Sequence, residues 1–233
     1  MSPTPITAPF PAARLRRLRR TPALRAMVTE TTLTPANLIW PIFVTEIAGG
    51  EGEIPSMPGV ERLTLDGAKR AAETAMRLGI PAICIFPHSD PDLKTESCER
   101  AWDPENIGNR AIRAIKQVAP ELAVMTDIAL DPYNANGHDG LVRDGVILND
   151  ETVEALGRMA LVQAEAGADI LGPSDMMDGR IGALRGRLEE NGHKDVAILS
   201  YAAKCASGFY GPFRDAVGAS GRLVGDKKTY QMN

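Results

Sequence analysis

Apolar and polar positions alternate between two patterns from residue 38 onward. Short runs rich in Ile, Val, Phe and Leu are typical of strands, and longer segments between them carry apolar residues at helical spacing. The predicted strands are 38–44, 82–86, 122–130, 169–172 and 197–200. The predicted helices run from near Asp66 to a cap at Gly79, over 106–118, from a cap at Asn149 or Asp150 to Gly167, and along the face of Ile181, Leu184 and Leu188. This alternation predicts parallel strands joined by right-handed crossovers.

Two α/β architectures fit this pattern, a doubly wound sheet and a (β/α)8 barrel. No GxGxxG sequence follows the first strand and no phosphate loop occurs, which disfavours the nucleotide-binding form of the first. Polar side chains follow several strands, as at a barrel active site: Thr126, Asp127, Ser174, Asp175, Tyr201 and Lys204. About five β/α units can be counted, whereas a closed barrel has eight. We therefore expect a TIM-barrel type fold over 36–233 that is incomplete, with its C-terminal part missing.

Residues 1–35 are predicted to form an extended N-terminal arm outside the barrel. Four prolines keep its start extended, and five arginines with Leu15 and Leu18 form a short basic segment over 14–20. We expect this arm to pack on another subunit of a homo-oligomer. Nucleic-acid binding is the alternative, but the net charge of -4 offers it no supporting basic surface.

Composition limits the remaining classes of function. The 233 residues are 44% hydrophobic and nearly balanced in charge, which predicts a globular chain without a nucleic-acid or membrane partner. No apolar run approaches the roughly 20 residues that cross a bilayer. Cys84, Cys98 and Cys205 are scattered and lack metal-site spacing, so we expect reduced thiols in a cytoplasmic protein.

Lys204 is the first candidate for chemistry. It follows the predicted strand 197–200, its neighbours are small or apolar, and Arg214, Lys227 and Lys228 come after it. Burial and nearby cations would both lower its pKa, and a neutral amine is what Schiff-base formation with a carbonyl requires. Arg214 could hold a carboxylate through two hydrogen bonds, which predicts a keto-acid site. The alternative is a structural lysine that buries its stem and keeps its ammonium in water.

Several sequence strings carry a resemblance to a known family. They are LIWPIFVTE, TDIALDPYNANGHDG, GPSDMMDGRIGALR, and SYAAKCASGFYGPFRDA followed by DKKTYQM. From about Arg14 onward the chain resembles the porphobilinogen synthase (5-aminolevulinate dehydratase) family. The resemblance implies a TIM barrel, an arm that builds homo-oligomers such as octamers or hexamers, and a lyase of porphyrin and heme biosynthesis. The implied reaction condenses two 5-aminolevulinate molecules to porphobilinogen.

The resemblance also implies roles for individual residues. Lys204 corresponds to the lysine that forms a Schiff base with the second-bound substrate. Asp127 corresponds to an active-site aspartate, for which proton handling or binding of the substrate amine is expected. The implied substrate-binding residues are Ser174, Arg214, Lys227 and Gln231.

The second Schiff-base lysine of the family, in a motif resembling MVKPG, does not occur in the 233 residues. We therefore expect a truncated copy with little activity of its own. One alternative is a non-catalytic subunit that assembles with full-length homologues. Another is an aldolase or decarboxylase that uses a single imine.

The acidic loop, the segment TDIALDPYNANGHDG with Asp127, Asp131 and Asp139, bears on metal binding. Zinc-dependent members of the family carry cysteines at the positions of Ala129, Asp131 and Asp139. Without thiolates a zinc site is disfavoured, and magnesium, a monovalent cation or no metal is expected instead. No residue is assigned as a metal ligand. The alternative is that these aspartates only solvate a loop or cap turns.

Overall fold

The computed structural model describes residues 8–219, 223 and 225–232. The chain divides into two compact units, Met1–Thr34 and Pro35–Asn233. In the first unit a 3-10 turn over Leu15–Arg19 precedes helix α1, Pro22–Met27, and neither element contains a buried residue. The hydroxyl of Thr21 accepts a hydrogen bond from the amide of Leu24 and so caps α1.

The second unit contains nine strands in its described residues. They are β1 Ile39–Thr45, β2 Gly52–Ile54, β3 Met57–Leu63, β4 Ala82–His88, β5 Ala123–Ile128, β6 Val142–Arg143, β7 Val146–Ile147, β8 Ile170–Pro173 and β9 Ala197–Ile198. The β6–β7 pair is a separate hairpin, and the other strands form one sheet in the order β2-β3-β1-β4-β5-β8-β9. All neighbours in this sheet are parallel except β2 and β3.

Five α-helices accompany these strands in the part of this unit that the structure describes. They are α2 Leu65–Leu78, α3 Ile107–Val118, α4 Asn149–Ala166, α5 Arg180–Glu190 and α6 Gly211–Ala216. Gly79 and Gly167 end α2 and α4 in the left-handed conformation, as the sequence predicts. Among the described residues, none of the helices combines the length and the apolar character that a bilayer crossing needs.

The strand order decides between the two architectures. Strands β1, β4, β5, β8 and β9 lie side by side in chain order, and one helix, α2 to α5, precedes each new strand. A doubly wound sheet must reverse its order at a switch point, whereas sequential order is that of a (β/α) barrel. The TIM-barrel type fold is therefore confirmed. Over the described part of the chain the sheet does not close on itself.

Three local predictions differ from the structure. The Gly-rich segment at Gly49, Gly50 and Gly52 predicts a loop, whereas the structure starts the antiparallel β2–β3 hairpin at Gly52. Strand β9 ends at Ile198 instead of Ser200 and pairs with β8 at two positions. Helix α4 has Leu148 as its N-cap, without a side-chain cap. Asn149 instead exchanges two hydrogen bonds with the backbone of Asp178 and ties α4 to the loop before α5.

The sheet is covered on both faces. Helices α2 to α5 pack on one face, around fully buried residues such as Ile112, Leu156 and Leu184. On the other face, Phe43 and Phe86 pack with Ala216 and Val217 in a second, smaller core. Because both faces are covered, all seven residues of β4 are buried, as in parallel sheets generally. The polar strand ends are thereby held on a rigid frame.

Candidate active site

A cleft of about 580 Å³ lies where the segments after β5, β8 and β9 meet the chain from β1 and β3. Its apolar wall includes Trp40, Ile42 and Phe43 of β1. Its polar lining consists of Glu61, Asp131, Asp139, Ser174, Lys204, Arg214, Lys227 and Gln231, with the phenols of Tyr201 and Tyr210. The structure therefore brings together five of the six residues predicted for the site.

Asp127, the sixth predicted residue, lies behind the cleft wall. It is fully enclosed near the end of β5, and the hydroxyl of Ser174 donates a hydrogen bond of 2.6 Å to its Oδ1. Gln163 of α4 donates its amide to the Asp127 carbonyl at 3.2 Å. Asp127 thus reaches the cleft through the side chain of Ser174.

Lys204 lies in the cleft with its side chain 8% exposed. Its Nζ donates a hydrogen bond of 2.8 Å to the carbonyl of Ser174 and lies 3.9 Å from Oδ2 of Asp139. The same ammonium lies 5.5 Å from the ring centre of Tyr210, within cation–π range. The Lys204 backbone is fixed as well, because the amide of Met232 donates to its carbonyl at 2.9 Å. The structural alternative of a solvated ammonium is therefore wrong.

Asp139 is the centre of the polar cluster. It is 1% exposed, and its Oδ1 accepts a hydrogen bond of 2.9 Å from Nζ of Lys227. Its Oδ2 accepts from the amide of Gln231 at 3.3 Å and faces Lys204. The sequence offered Asp139 only as a loop residue or an oxygen ligand. Its partners lie 88 and 92 residues further along the chain, and no local signal identifies them.

The predicted lowering of the Lys204 pKa is wrong. Burial does lower this pKa, but the negative charges of Asp139, Asp131 and Asp127 outweigh burial and raise it. The sequence predicts Lys227 as a cation near Lys204, but in the structure its charge is matched by Asp139 at 2.9 Å. Lys204 is consequently a charged ammonium in the free site.

The three carboxyl groups divide into two kinds. Burial and the charge of Asp131 raise the pKa of Asp127 to about 7, against the opposing effects of Ser174 and Lys204. Burial and the charge of Asp139 also raise the pKa of Asp131. For Asp139, burial is outweighed by Lys204 and Lys227, which lower its pKa. Asp139 therefore stays ionised, while Asp127 can carry a proton near neutral pH.

His138 has a partner that the sequence does not reveal. Its Nδ1 lies 2.9 Å from the hydroxyl of Tyr230, and the amide of Asp139 donates to the same hydroxyl at 3.4 Å. His138 is therefore connected to the Asp139 cluster through Tyr230. Tyr230 follows it by 92 positions, so no local sequence pattern identifies the pair.

The residues of the acidic loop do not fit a metal site. The side chain of Ala129 has no ligand atom, and both oxygens of Asp139 already accept hydrogen bonds from Lys227 and Gln231. Within the part of the chain that the structure describes, no three His, Cys, Asp or Glu side chains are placed to hold an ion together. The expected magnesium or monovalent cation stays a prediction.

Comparison with known proteins places the chain among relatives of one description. A family model described as "Delta-aminolevulinic acid dehydratase" matches residues 12–233. The enzyme of that name from Rhodobacter capsulatus is 66% identical over 230 residues, which cover 99% of this chain and 69% of the relative. The one from Bradyrhizobium diazoefficiens is 55% identical, over 95% of this chain and 63% of the relative.

A solved structure agrees with these sequence matches. The crystal structure of delta-aminolevulinic acid dehydratase (porphobilinogen synthase) from Toxoplasma gondii ME49, in complex with the reaction product porphobilinogen, is 44% identical. It superposes with a TM-score of 0.91 over 95% of this chain and 63% of that one. The chain thus spans about two thirds of the length of these relatives. On this evidence, the chain belongs to the delta-aminolevulinic acid dehydratase family.

Proposed function

We propose that the protein is a lyase that condenses two 5-aminolevulinate molecules to porphobilinogen, with loss of water, in porphyrin and heme biosynthesis. Family membership supports this reaction, as does the structural relative solved with porphobilinogen. The observation that carries the proposal is a buried lysine, Lys204, on a cleft that Arg214 and Lys227 also line. The relatives favour neither a non-catalytic subunit nor a single-imine aldolase.

Lys204 is proposed to form the Schiff base with one of the two substrate molecules. Its neutral amine attacks the ketone carbon, and the resulting carbinolamine takes back the proton that the ammonium gave up and loses water to give a protonated imine. The imine keeps a positive charge at the position of the Lys204 ammonium, 3.9 Å from Asp139. The carboxylate that holds the ammonium therefore also stabilises the imine, by the same attraction.

The substrate carboxylate is proposed to bind Arg214, Lys227 and Gln231. All three line the cleft together with Lys204. Arg214 can form two parallel hydrogen bonds to a carboxylate, and Lys227 adds a second cation. A keto acid bound there would have its carboxylate at one side of the cleft and its carbonyl carbon near Lys204.

Asp127 and Ser174 are proposed to handle a proton of the reaction. The Asp127 pKa of about 7 allows this carboxyl group to take up or release a proton near neutral pH. Ser174 bridges Asp127 to the cleft, because its hydroxyl donates to Asp127 and its carbonyl accepts from Lys204. Lys204 and Asp127 thus both contact Ser174, and Asp127 is proposed to accept the proton that the ammonium loses before it attacks the ketone.

The N-terminal arm is proposed to dock on a second copy of the chain. Among the residues described for this unit, Phe10, Leu15, Met27 and Leu33 are more than two thirds exposed, and Leu18 is half exposed. Exposed apolar side chains in series are typical of an interface. A homo-oligomer, an octamer or hexamer, and a cytoplasmic location remain predictions for this protein.

Borohydride trapping tests the Schiff base. After incubation with 5-aminolevulinate and reduction, we expect a covalent adduct on the peptide that contains Lys204, read by mass spectrometry. Lys204→Met should abolish the adduct, and Lys228→Met should retain it, since Lys228 is exposed outside the cleft. An adduct that persists at full yield in Lys204→Met would refute the assignment.

The pH dependence of trapping tests the role of Asp139. Asp139→Asn removes the negative charge that raises the Lys204 pKa, so the neutral amine forms at lower pH. The trapping yield of this variant should therefore rise at lower pH than in the wild type. Asp144→Asn changes an exposed aspartate and should leave the profile in place. A shift of the Asp139→Asn profile toward higher pH would contradict the charge argument.

Ser174→Ala tests the link to Asp127. The hydroxyl of Ser174 stabilises the ionised form of Asp127, so its loss should raise the pKa of Asp127 above about 7. Carboxyl-selective carbon-13 NMR titration measures this value directly. Ser200→Ala, an exposed serine, is the matched control and should leave it unchanged. An unchanged or lower pKa in Ser174→Ala would show that the hydroxyl does not stabilise the carboxylate.

Light scattering tests the arm. Replacement of Leu15 and Leu18 by Ser should reduce the mass of the assembly, because each exposed leucine would lose its apolar contact with a partner. The control is Leu78→Ser, a leucine of similar exposure on α2. An unchanged mass for the double variant and a reduced one for the control would speak against docking through the arm.

A further inference from the structure

Arg62 on β3 binds the helix that carries Arg214. Its Nε donates a hydrogen bond of 2.9 Å to the carbonyl of Ala216, and its Nη2 donates one of 2.6 Å to the carbonyl of Asp215. These carbonyls belong to the last two residues of α6, directly after Arg214. Arg62 is half-buried and is absent from the residues that line the cleft, although Glu61 and Leu63 on either side line it.

Helix α6 is too short to hold its position alone. It has six residues, and isolated helices of this length are not stable in water. Its last carbonyls have no intrahelical partners, so the two parallel donors of a guanidinium match them well. Lys94 adds a third contact, because its Nζ donates to the carbonyl of Gly218 at 3.0 Å. Arg62 thus holds the end of this helix, and Lys94 holds the turn that follows it.

The other attachment of α6 is apolar and involves Phe213, the residue directly before Arg214. The Phe213 ring packs against Phe43 at 5.9 Å and Phe86 at 5.0 Å between ring centres. Phe43 is also the residue that pairs with Arg62 in the β1–β3 ladder. One residue pair of the sheet, Phe43 and Arg62, therefore contacts both the Phe213 ring and the backbone after Arg214.

The turn that follows α6 lies tightly against β4. A Cβ at Gly218 would come within 2.7 Å of Nε2 of His88, the last residue of β4. The amides of Val217 and Ala219 donate to the carbonyls of Phe213 and Arg214, at 3.1 and 2.8 Å. Arg214 is thus enclosed between the aromatic contact before it and a bonded turn after it.

We propose that Arg62 is a positioning residue that holds Arg214 in the cleft and thereby sets the affinity of the site for a carboxylate. Arg62 acts through Arg214, because its donors are engaged with the backbone of α6. Without this contact, α6 must be ordered when the ligand binds, and the cost of ordering weakens binding. The inference rests on the proposed role of Arg214 as the carboxylate ligand.

Binding of two keto compounds by calorimetry tests the inference. 4-Oxopentanoate has the carboxylate and ketone of the proposed substrate, and 4-oxopentanamide lacks the charge. We expect Arg62→Met to weaken the binding of 4-oxopentanoate about tenfold, in the range of a lost charged hydrogen bond. The binding of 4-oxopentanamide should be unchanged. Arg62→Lys should recover only part of the loss, because an ammonium cannot reproduce the planar fork.

A double-variant cycle shows whether Arg62 acts through Arg214. If it does, Arg62→Met together with Arg214→Met should bind 4-oxopentanoate no more weakly than Arg214→Met alone. If the affinity losses of the two single variants multiply in the double variant, the inference is overturned. If Arg62→Met weakens the binding of 4-oxopentanoate and of 4-oxopentanamide equally, it is overturned as well.

Amide hydrogen exchange separates this inference from the proposed function. Arg62→Met should speed exchange at the amides of Val217, Gly218 and Ala219, while Arg70→Met, an exposed arginine of α2, should not. If the wild type fails to bind 4-oxopentanoate but exchange still rises in Arg62→Met, the proposed function is refuted and the attachment of α6 stands. Unchanged exchange in both Arg62→Met and Arg62→Lys would refute the attachment itself.

Discussion

Charge balance around the buried carboxylate of Asp139 is the constraint on which the site depends. Three carboxyl groups, Asp127, Asp131 and Asp139, share a nearly dry region with the ammonium groups of Lys204 and Lys227. None of these charges could remain there alone, because removing one partner of a buried ion pair costs about 3–5 kcal/mol. The cluster therefore fixes the fold of three loops at once, those after β5 and β9 and the segment around Lys227.

The same balance shapes the chemistry. A Schiff-base lysine that is activated by a lowered pKa would lie among cations or apolar groups, and Lys204 instead faces carboxylates. Such surroundings favour the charged amine in the free protein and would also favour the charged imine of the proposed reaction. In that proposed reaction the site is complementary to the intermediate, and the Lys204 ammonium must first pass its proton to a neighbour. Asp127 and Asp131 are suited to receive it, because their pKa values are raised.

The fold and the outline of the site could be predicted from sequence because both depend on local patterns. Strand and helix periodicity gives the β/α alternation, and polar residues after apolar runs point to Ser174 and Lys204. The role of Asp139 could not be predicted, since its hydrogen-bond partners are 88 and 92 residues away. For the same reason the sign of the Lys204 pKa shift was predicted wrongly. The β2–β3 hairpin and the contact of Arg62 with α6 also depend on tertiary pairing, across 153 residues in the second case.

Direct titration of the Lys204 side chain by heteronuclear NMR in the ligand-free protein tests the central claim. Enclosed by Asp139, Asp131 and Asp127, the ammonium should lose its proton only at a pH above the ordinary lysine value. A pKa below that value would contradict the account. It would mean that burial and cations dominate at Lys204, and that the carboxylates do not hold its charge.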